Sequence, residues 1–327
     1  MKPAYHKLTA VVQGLGVVVV LGVVTATLVP LDSALARSLG NNAPYVLAAV
    51  FFTGLLALPA KLPALMKTSW LAAAVMAVVL RSSVSDVTPE RTRPIEPLRS
   101  DFSVTQVSTG NFSSLPPFGI EALADPRTDV ICVQQLTPNW CEYLSAELAA
   151  SFPYHYTYED IGLQGIGVYS RRPLGYVDTV HLAGVVHLTA CESGQGATPE
   201  VGLFAVQTLP PVNSIAYYRL RSQFEIVADH LAASTRPLIV LGDFNSVPWS
   251  DELQDFQDET ALLDSRRSIQ STFVKGAPQL FEVPVEHIFY SPRLRCLNYE
   301  TIRGEDGYLG NRATFQDKSI PVPLASL

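Results

Sequence analysis

Charge is scarce in this sequence. Of its 327 residues only 16% are Asp, Glu, Lys or Arg while 48% are hydrophobic, and the mean hydropathy is +0.20. An ordinary soluble domain of this size is less apolar. Strict glycine periods and polar low-complexity tracts are missing too, which excludes collagen-like and intrinsically disordered chains. Acid is nearly absent from the first quarter. Residues 1–85 hold six basic side chains (Lys2, Lys7, Arg37, Lys61, Lys67, Arg81) and one acidic one (Asp32), a balance of +5, so the remaining 17 basic and 29 acidic residues stand at −12 within the overall −7. The chain divides into an apolar, basic part that suits a bilayer and an acidic part that suits water.

Leu8 to Pro30 is apolar apart from Gln13 and a few Thr and Gly, and as a helix it is long enough to cross about 30 Å of hydrocarbon. Pro44 to Ala60 and Pro63 to Leu80 are two further apolar stretches, the latter with Lys67 and Arg81 placed to reach headgroups. A cleaved signal peptide is the competing reading of the first run, because Lys2 and Lys7 precede it. The run exceeds the usual apolar core of such a signal, and two more apolar segments follow. Three transmembrane helices are therefore expected over residues 1–81. Lys2 and Lys7 lie before the first and Lys61 and Lys67 between the second and third, which puts the N-terminus in the cytoplasm. Everything beyond Arg81 then lies outside the cell (inner) membrane, in a periplasmic or extracytoplasmic space. All four cysteines (Cys132, Cys141, Cys191, Cys296) fall there, where disulfides are permitted and three full pairings are open. Cys132 sits in an apolar strand-like run and reads equally as a buried thiol.

Residues 82–100 are polar, contain three prolines and lack an apolar period, the pattern of an extended tether. A folded domain is expected over residues 101–327. Short β-branched or aromatic runs predict strands at Phe102 to Ser108, Asp129 to Gln134, Gly165 to Ser170, Tyr176 to His181, Val201 to Thr208, Pro237 to Leu241, Glu286 to Tyr290 and Cys296 to Arg303. Leu220, Phe224, Val227 and Leu231 recur at helical spacing within Ser214 to Ala233, and Pro138 to Ala150 is a second helix. No internal repeat is visible. Strands separated by occasional helices point to a sheet-dominated α/β (α+β) sandwich.

The most specific local feature is the run Pro237 to Ser246 (PLIVLGDFNS), a buried strand that ends in Gly242 and delivers Asp243 and Asn245. Sites collect at strand ends in open α/β sheets, and a carboxylate beside an amide can converge on one phosphate or hard cation. The same two side chains can equally close an Asx turn.

Other segments join this one in a set order: Gln106 to Asn111 (QVSTGN), Asp129 to Gln135 (DVICVQQ), Gly165 to Arg171 (GIGVYSR), Arg219 and Gln223 on the helix, then Gly242 to Asn245 (GDFN) and Glu286 to Ser291 (EHIFYS). In that order they resemble the endonuclease/exonuclease/phosphatase superfamily, with its DNase-I-like two-sheet sandwich, over most of residues 101–327. Three membrane helices ahead of such a domain resemble the membrane-anchored branch that includes vancomycin- and teicoplanin-resistance proteins. The resemblance implies attack of water on a phosphoester, with Mg²⁺ held by carboxylates and a His-Asp pair moving the proton. On the same likeness Asn111, Asp243 and Asn245 stand where phosphate, metal and nucleophilic water are bound.

Several positions depart from that pattern. Gln135 stands where a metal-binding Glu is expected, and a neutral amide holds a hard cation poorly. Thr208 occupies the place of a histidine. Glu286 replaces an Asp before His287. A C-terminal Gly-Ser-Asp-His motif reads Gly310-Asn-Arg-Ala313, and no histidine follows Gly304. His155, His181, His187 and His230 are scattered without zinc-ligand spacing. Arg171 and Arg172 read as a solvated turn rather than a phosphate clamp.

These features predict a vestigial cleft of Asn111, Gln135, Asp243, Asn245, Glu286, His287 and Arg312 with no metal or other cofactor, in which Arg312 pairs with Asp243 or Glu286 in place of Mg²⁺. The corresponding function is a catalytically inactive, outward-facing binding or structural subunit of a membrane assembly, with the bilayer and other membrane-protein subunits as partners. The alternative is a Mg²⁺-dependent phosphodiesterase or phosphatase acting on an envelope or lipid-linked phosphate, its metal held by Asn111, Asp243 and Asn245. A nucleic-acid partner is disfavoured, because a portion at −12 repels a polyanion.

Overall fold

The computed structural model describes residues 2–29, 31, 33–83, 101–111, 120–162, 164–192, 201–211, 213–266, 283–304 and 307–318. The expected tether lies outside the described residues from position 84 onward. The chain forms two compact units, Met1–Val84 with Val247–Asp251 and Ser85–Ser246 with Glu252–Leu327.

The first unit contains α1 (Lys2–Leu28), α2 (Ala34–Asn41), α3 (Ala43–Ala57) and α4 (Pro63–Ser82). Pro44 and Pro63 sit in the first turns of α3 and α4, where a missing N–H costs nothing. Ser33 caps α2 by accepting the Ala36 N–H at 3.1 Å. Val20, Val24, Val46, Val50, Leu65 and Met76 form the core between the helices, with the small Ala57, Ala72 and Ala73 allowing close approach. Leu15, Val18, Leu56 and Leu71 point outward and stay exposed, so the bundle is apolar inside and out, as a bilayer requires. Two helices, over Thr9–Leu28 and Pro63–Ser82, are long and apolar enough to cross a membrane. The middle stretch differs from the expectation of an independent span. Its helix α3 has 15 residues, about 22 Å at 1.5 Å per residue, and reaches membrane length only together with α2, from which it is bent by 88°.

The second unit is built on two six-stranded sheets. One runs in the order β11 (Leu294–Gly304), β12 (Gly307–Asp317), β1 (Phe102–Ser108), β2 (Val130–Gln134), β4 (Ile166–Ser170), β3 (Tyr154–Tyr158). The other runs β5 (Leu174–Leu182), β6 (Val185–Glu192), β7 (Gly202–Gln207), β8 (Leu238–Asp243), β10 (Glu286–Tyr290), β9 (Leu263–Asp264). Each has one parallel pair at its centre, β1 with β2 and β7 with β8, flanked by antiparallel neighbours. The two sheets thus share one pairing pattern, a repeat of topology that leaves no trace in the sequence.

Period-two alternation sorts the strand residues between layers. Phe102 and Val104 of β1, Val130 and Cys132 of β2, Leu203 and Ala205 of β7, Ile239 and Leu241 of β8, Ile288 and Tyr290 of β10 and Ala313 and Phe315 of β12 fill the space between the sheets. Val107, Ile131, Val133 and Tyr169 face the other way, onto Leu144 and Leu148 of α5 (Pro138–Leu148). On the far side, Phe204, Val206, Val240 and Phe289 meet Leu220, Phe224, Val227 and Leu231 of α6 (Ser214–Ala232) and Leu253 and Phe256 of α7 (Asp251–Thr260). The expected two-sheet sandwich is therefore present, with helices on both outer faces.

Two readings change. Arg171 is no solvated turn: its guanidinium donates to the carbonyls of Thr128, Ser151, Ala124 and Asp125 and lies 4.3 Å from the Phe152 ring centroid. The four cysteines are buried free thiols rather than bridges.

Phe244 is fully buried, with ring centroids of Phe224, Phe256, His287 and Phe289 5.9, 5.7, 5.6 and 5.1 Å away. Phe244→Ala is expected to cost about 3–5 kcal/mol, read from urea unfolding of the detergent-solubilised chain by near-UV circular dichroism.

Candidate functional site

The alternation that fills the inter-sheet core also selects what lies at its end. Continuing the inward phase toward the site puts Gln106 and Ser108 of β1, Gln134 of β2, Gln207 of β7, Asp243 of β8, Glu286 of β10 and Asn311 of β12 in the same layer as Val104, Cys132, Ala205, Leu241, Ile288 and Ala313. The strands thus change from apolar to polar over one residue pair. Carboxyl ends of β1, β2, β7 and β8 all contribute, the usual place for a site in an open sheet.

Two links across the sheets define the centre. Gln135, one residue past β2 and at φ +57°, donates its Nε2 to Asp243 Oδ2 at 3.4 Å. Its Oε1 lies against Gly110, where a Cβ would stand 1.7 Å from it, so a larger residue at that position would turn the Gln135 amide away from its present place. Tyr308 donates its hydroxyl to Glu286 Oε2, and the same phenol accepts from Asn311 Nδ2 at 2.7 Å. Thr301 in turn donates to Asn311 Oδ1 at 3.3 Å. Gln106 Nε2 donates to Gln134 Oε1 at 2.9 Å within the first sheet. The Gln134 amide abuts Gly242 of the second sheet, where an added Cβ would lie 2.9 Å from Nε2 and 1.9 Å from the Val206 carbonyl.

Asp243 is buried. Burial raises its carboxyl from the ordinary 3.8 to about 6, opposed by hydrogen bonds from the Asn245 N–H and the Gln135 amide. Asn245, at φ +50°, donates that N–H to Asp243 Oδ1 at 3.1 Å and its Nδ2 to the carbonyl and Oγ1 of Thr208 at 3.1 and 3.2 Å. Asparagine tolerates this left-handed conformation, and the pair closes its own loop as an Asx turn. Asn111 ends the short 3₁₀ turn Thr109–Asn111 that follows β1. Thr109 Oγ1 donates to the Gln135 carbonyl at 2.5 Å, which brings this turn to the same end as Asp243. The Asn111 side chain lies outside the described residues. Glu286 is the register partner of Asp243 on the adjacent strand.

Two expected members are elsewhere. His287 follows Glu286 on a strand, so it faces the opposite side, stacked on Phe289 in the outer core. Its Nε2 meets the Ser246 carbonyl at 2.9 Å and its Nδ1 stands 3.4 Å from Asp264 Oδ2. Burial lowers its basicity, with Asp264 opposing. Arg312 likewise alternates away from Asn311 and does not pair with Asp243 or Glu286. It is 3% exposed, donates to Thr128 Oγ1 at 2.8 Å and the Ala122 carbonyl at 2.7 Å, and pairs with Asp125 at 3.1 Å and Glu300 at 2.8 Å. The cation near Glu286 is Arg266, also 3% exposed, which donates to the Glu286 carbonyl and lies over the Tyr299 ring. Sequence reasoning missed Arg266 together with Gln106, Ser108, Gln134, Gln207 and Tyr308. The inward phase of Phe102, Val104, Val130 and Cys132 was the signal that would have found the strand members.

The donor set does not fit Mg²⁺. A hard cation takes several oxygens, charged ones above all. Here the two carboxylates already accept from Asn245 and Tyr308, and the group that faces Asp243 from the other sheet is the neutral amide of Gln135. Among the described residues no group of three or more His, Cys, Asp or Glu is placed to hold a metal.

A family model described as "Endonuclease/Exonuclease/phosphatase family" matches residues 116–317. The fold is similar to an endonuclease/exonuclease/phosphatase from Beutenbergia cavernae DSM 12333, at 16% identity and TM-score 0.52 over 67% of this chain and 72% of that one. It is also similar to D. rerio TDP2 complexed with a single-strand DNA product, at 17% and 0.55 over 66% and 99%. A third likeness is to the 3′ phosphatase NExo from Neisseria bound to a product DNA hairpin, at 16% and 0.51 over 66% and 99%. No curated protein matches the chain by sequence.

Because burial raises the Asp243 carboxyl in the folded state, its contribution to stability is complete below pH 3.8 and lost as pH rises through about 6. The loss amounts to about 3 kcal/mol. Asp243→Asn is expected to abolish it, so the variant's stability relative to the parent increases between pH 4 and pH 7.5 in urea unfolding. An unchanged difference across that range would contradict the burial of an uncompensated carboxyl.

Proposed function

The chain belongs to the endonuclease/exonuclease/phosphatase family, and from that premise we propose that its second unit serves a membrane protein as a binding module and does not hydrolyse phosphoesters. The observation that supports the reading is the neutral Gln135 amide 3.4 Å from Asp243, which gives a catalytic cation no second negative oxygen beside that carboxylate. His287 is turned away and kept neutral by burial, and the C-terminal stretch offers Ala313 and no histidine. Loss of one general acid or base costs about 10² to 10⁴ in rate. The retained Asp243 and Asn245 have a structural task in closing their loop.

The same proposal places this unit on the outer face of the membrane, the bent pair α2 and α3 counting as the second of three crossings. Its support is Lys2 and Lys7 at the start of α1, ahead of the apolar span Thr9–Leu28, together with Lys61 just before α4 and Lys67 in its first turns. The apolar outward faces of α1, α3 and α4 are available to lipid and to helices of other subunits.

Bis(p-nitrophenyl) phosphate with Mg²⁺ or Mn²⁺ tests the chemistry. The full chain in detergent is expected to show no turnover above that of Asp243→Ala. Metal-dependent turnover abolished by that substitution would restore a phosphodiesterase acting on an envelope or lipid-linked phosphate.

Alkaline phosphatase fused after Ser100 is expected to be active. An inactive fusion there, with activity after Lys67 instead, would reverse the topology.

A further inference from the structure

Building on the binding-module reading, the geometry points to the kind of ligand: we propose that the polar layer at the strand ends recognises an uncharged ligand through a secondary amide, the group carried by an acetamido sugar or a peptide bond. The charged members of the layer are already provided for, Asp243 by Asn245 and Gln135 and Glu286 by Tyr308. What is left over is neutral. Gln106 Oε1, Gln134 Nε2, Gln207 Oε1 and Ser108 Oγ are buried without a hydrogen-bond partner, and each of these residues is at most 1% exposed. Buried polar groups are nearly always paired, so four orphans in one layer of a family's site are a claim on a ligand.

Their chemistry restricts what that ligand is. Gln106 and Gln134 share one hydrogen bond of 2.9 Å. Turning both amides exchanges the residues' roles, but the pair still leaves one NH₂ and one C=O unsatisfied. A secondary amide carries one acceptor and one donor and answers both. Phosphate brings acceptors and would meet the leftover carbonyls of this pair and of Gln207 unfavourably. A metal ion would meet the NH₂. The Gln134 amide lies against Gly242 in the facing sheet, and Gln207 is the register partner of Asp243, so the orphans of the two sheets sit in one buried layer, which a ligand enters by parting the side chains above it. Gln135 and Asn245, the partly exposed members, line the approach.

Isothermal titration calorimetry on the full chain in detergent tests this with three probes: N-acetylglucosamine, N-acetylalanine methylamide and inorganic phosphate. One amide probe is expected to bind at least tenfold more tightly than phosphate, and which one does so separates sugar from peptide as the source. Binding is expected to weaken at least tenfold in Gln106→Met/Gln134→Met and in the independent Gln207→Leu. Thermal unfolding midpoints of both variants are expected at or above the parent's, because each removes buried unpaired groups. Failure of both amide probes, equal binding of phosphate, or unchanged binding in both variants would overturn the inference. With phosphodiester turnover still absent, those results would leave the binding-module reading standing, whereas Mg²⁺-dependent turnover would remove it.

Discussion

Two sheets packed face to face allow each strand only one phase, because a slip of a single residue would carry its whole apolar set to the wrong side. Phe102 and Val104, Val130 and Cys132, and Ile239 and Leu241 hold that phase. The polar residues two positions further on have no choice of direction. Gln106, Gln134 and Asp243 enter the site because the core behind them is apolar, and His287 and Arg312 are kept out for the same reason. Packing, not local motif chemistry, decides which side chains can meet a ligand.

The electrostatics follow from this arrangement. Two carboxylates and several amides are sealed at the junction of the sheets, where charge is expensive. The protein answers with hydrogen bonds from one sheet to the other, Gln135 to Asp243 and Tyr308 to Glu286. Burial and the neighbouring Glu286 push the Tyr308 phenol well above its ordinary range, so it remains a donor at any working pH. Among the described residues two arginines are buried in the unit as well, Arg312 tied to the Ala122 carbonyl and the Asp125 and Glu300 carboxylates, Arg266 to the Glu286 carbonyl and the Tyr299 ring. Removing one partner from such a group is far more costly than the pair is stabilising. Arg312 therefore anchors the strand that carries Asn311 without touching the ligand space.

Much of this was legible in the sequence. The eight strand segments, the two helices and the convergence of Gln135, Asp243 and Glu286 at one end all followed from alternation, turn residues and motif order. β6 and β12 were missed for different reasons. VVHLTACE follows the two-residue turn Ala183-Gly184, both at positive φ, and that hairpin signal after the predicted run Tyr176 to His181 went unread; the Gly310 to Ala313 segment was weighed only as a motif although it lies within a long hairpin strand. β3, with YHYTY, is an edge strand whose aromatics are half exposed. His287 and Arg312 were misplaced because adjacency in a motif was taken as proximity in space, which a pleated strand forbids. Arg266 had no legible signal at all: only the pairing of β9 with β10 brings it to Glu286.

The four thiols have a meaning for biogenesis. Burial pushes the Cys132 thiol up to about 12, so at neutral pH about one molecule in 10⁵ carries the thiolate that disulfide exchange requires. All four cysteines are buried free thiols in the folded unit, so its native state contains no disulfide that folding would have to wait for. The finished fold is held without a covalent crosslink, so a reducing compartment takes nothing from its stability and an oxidising one adds nothing to it.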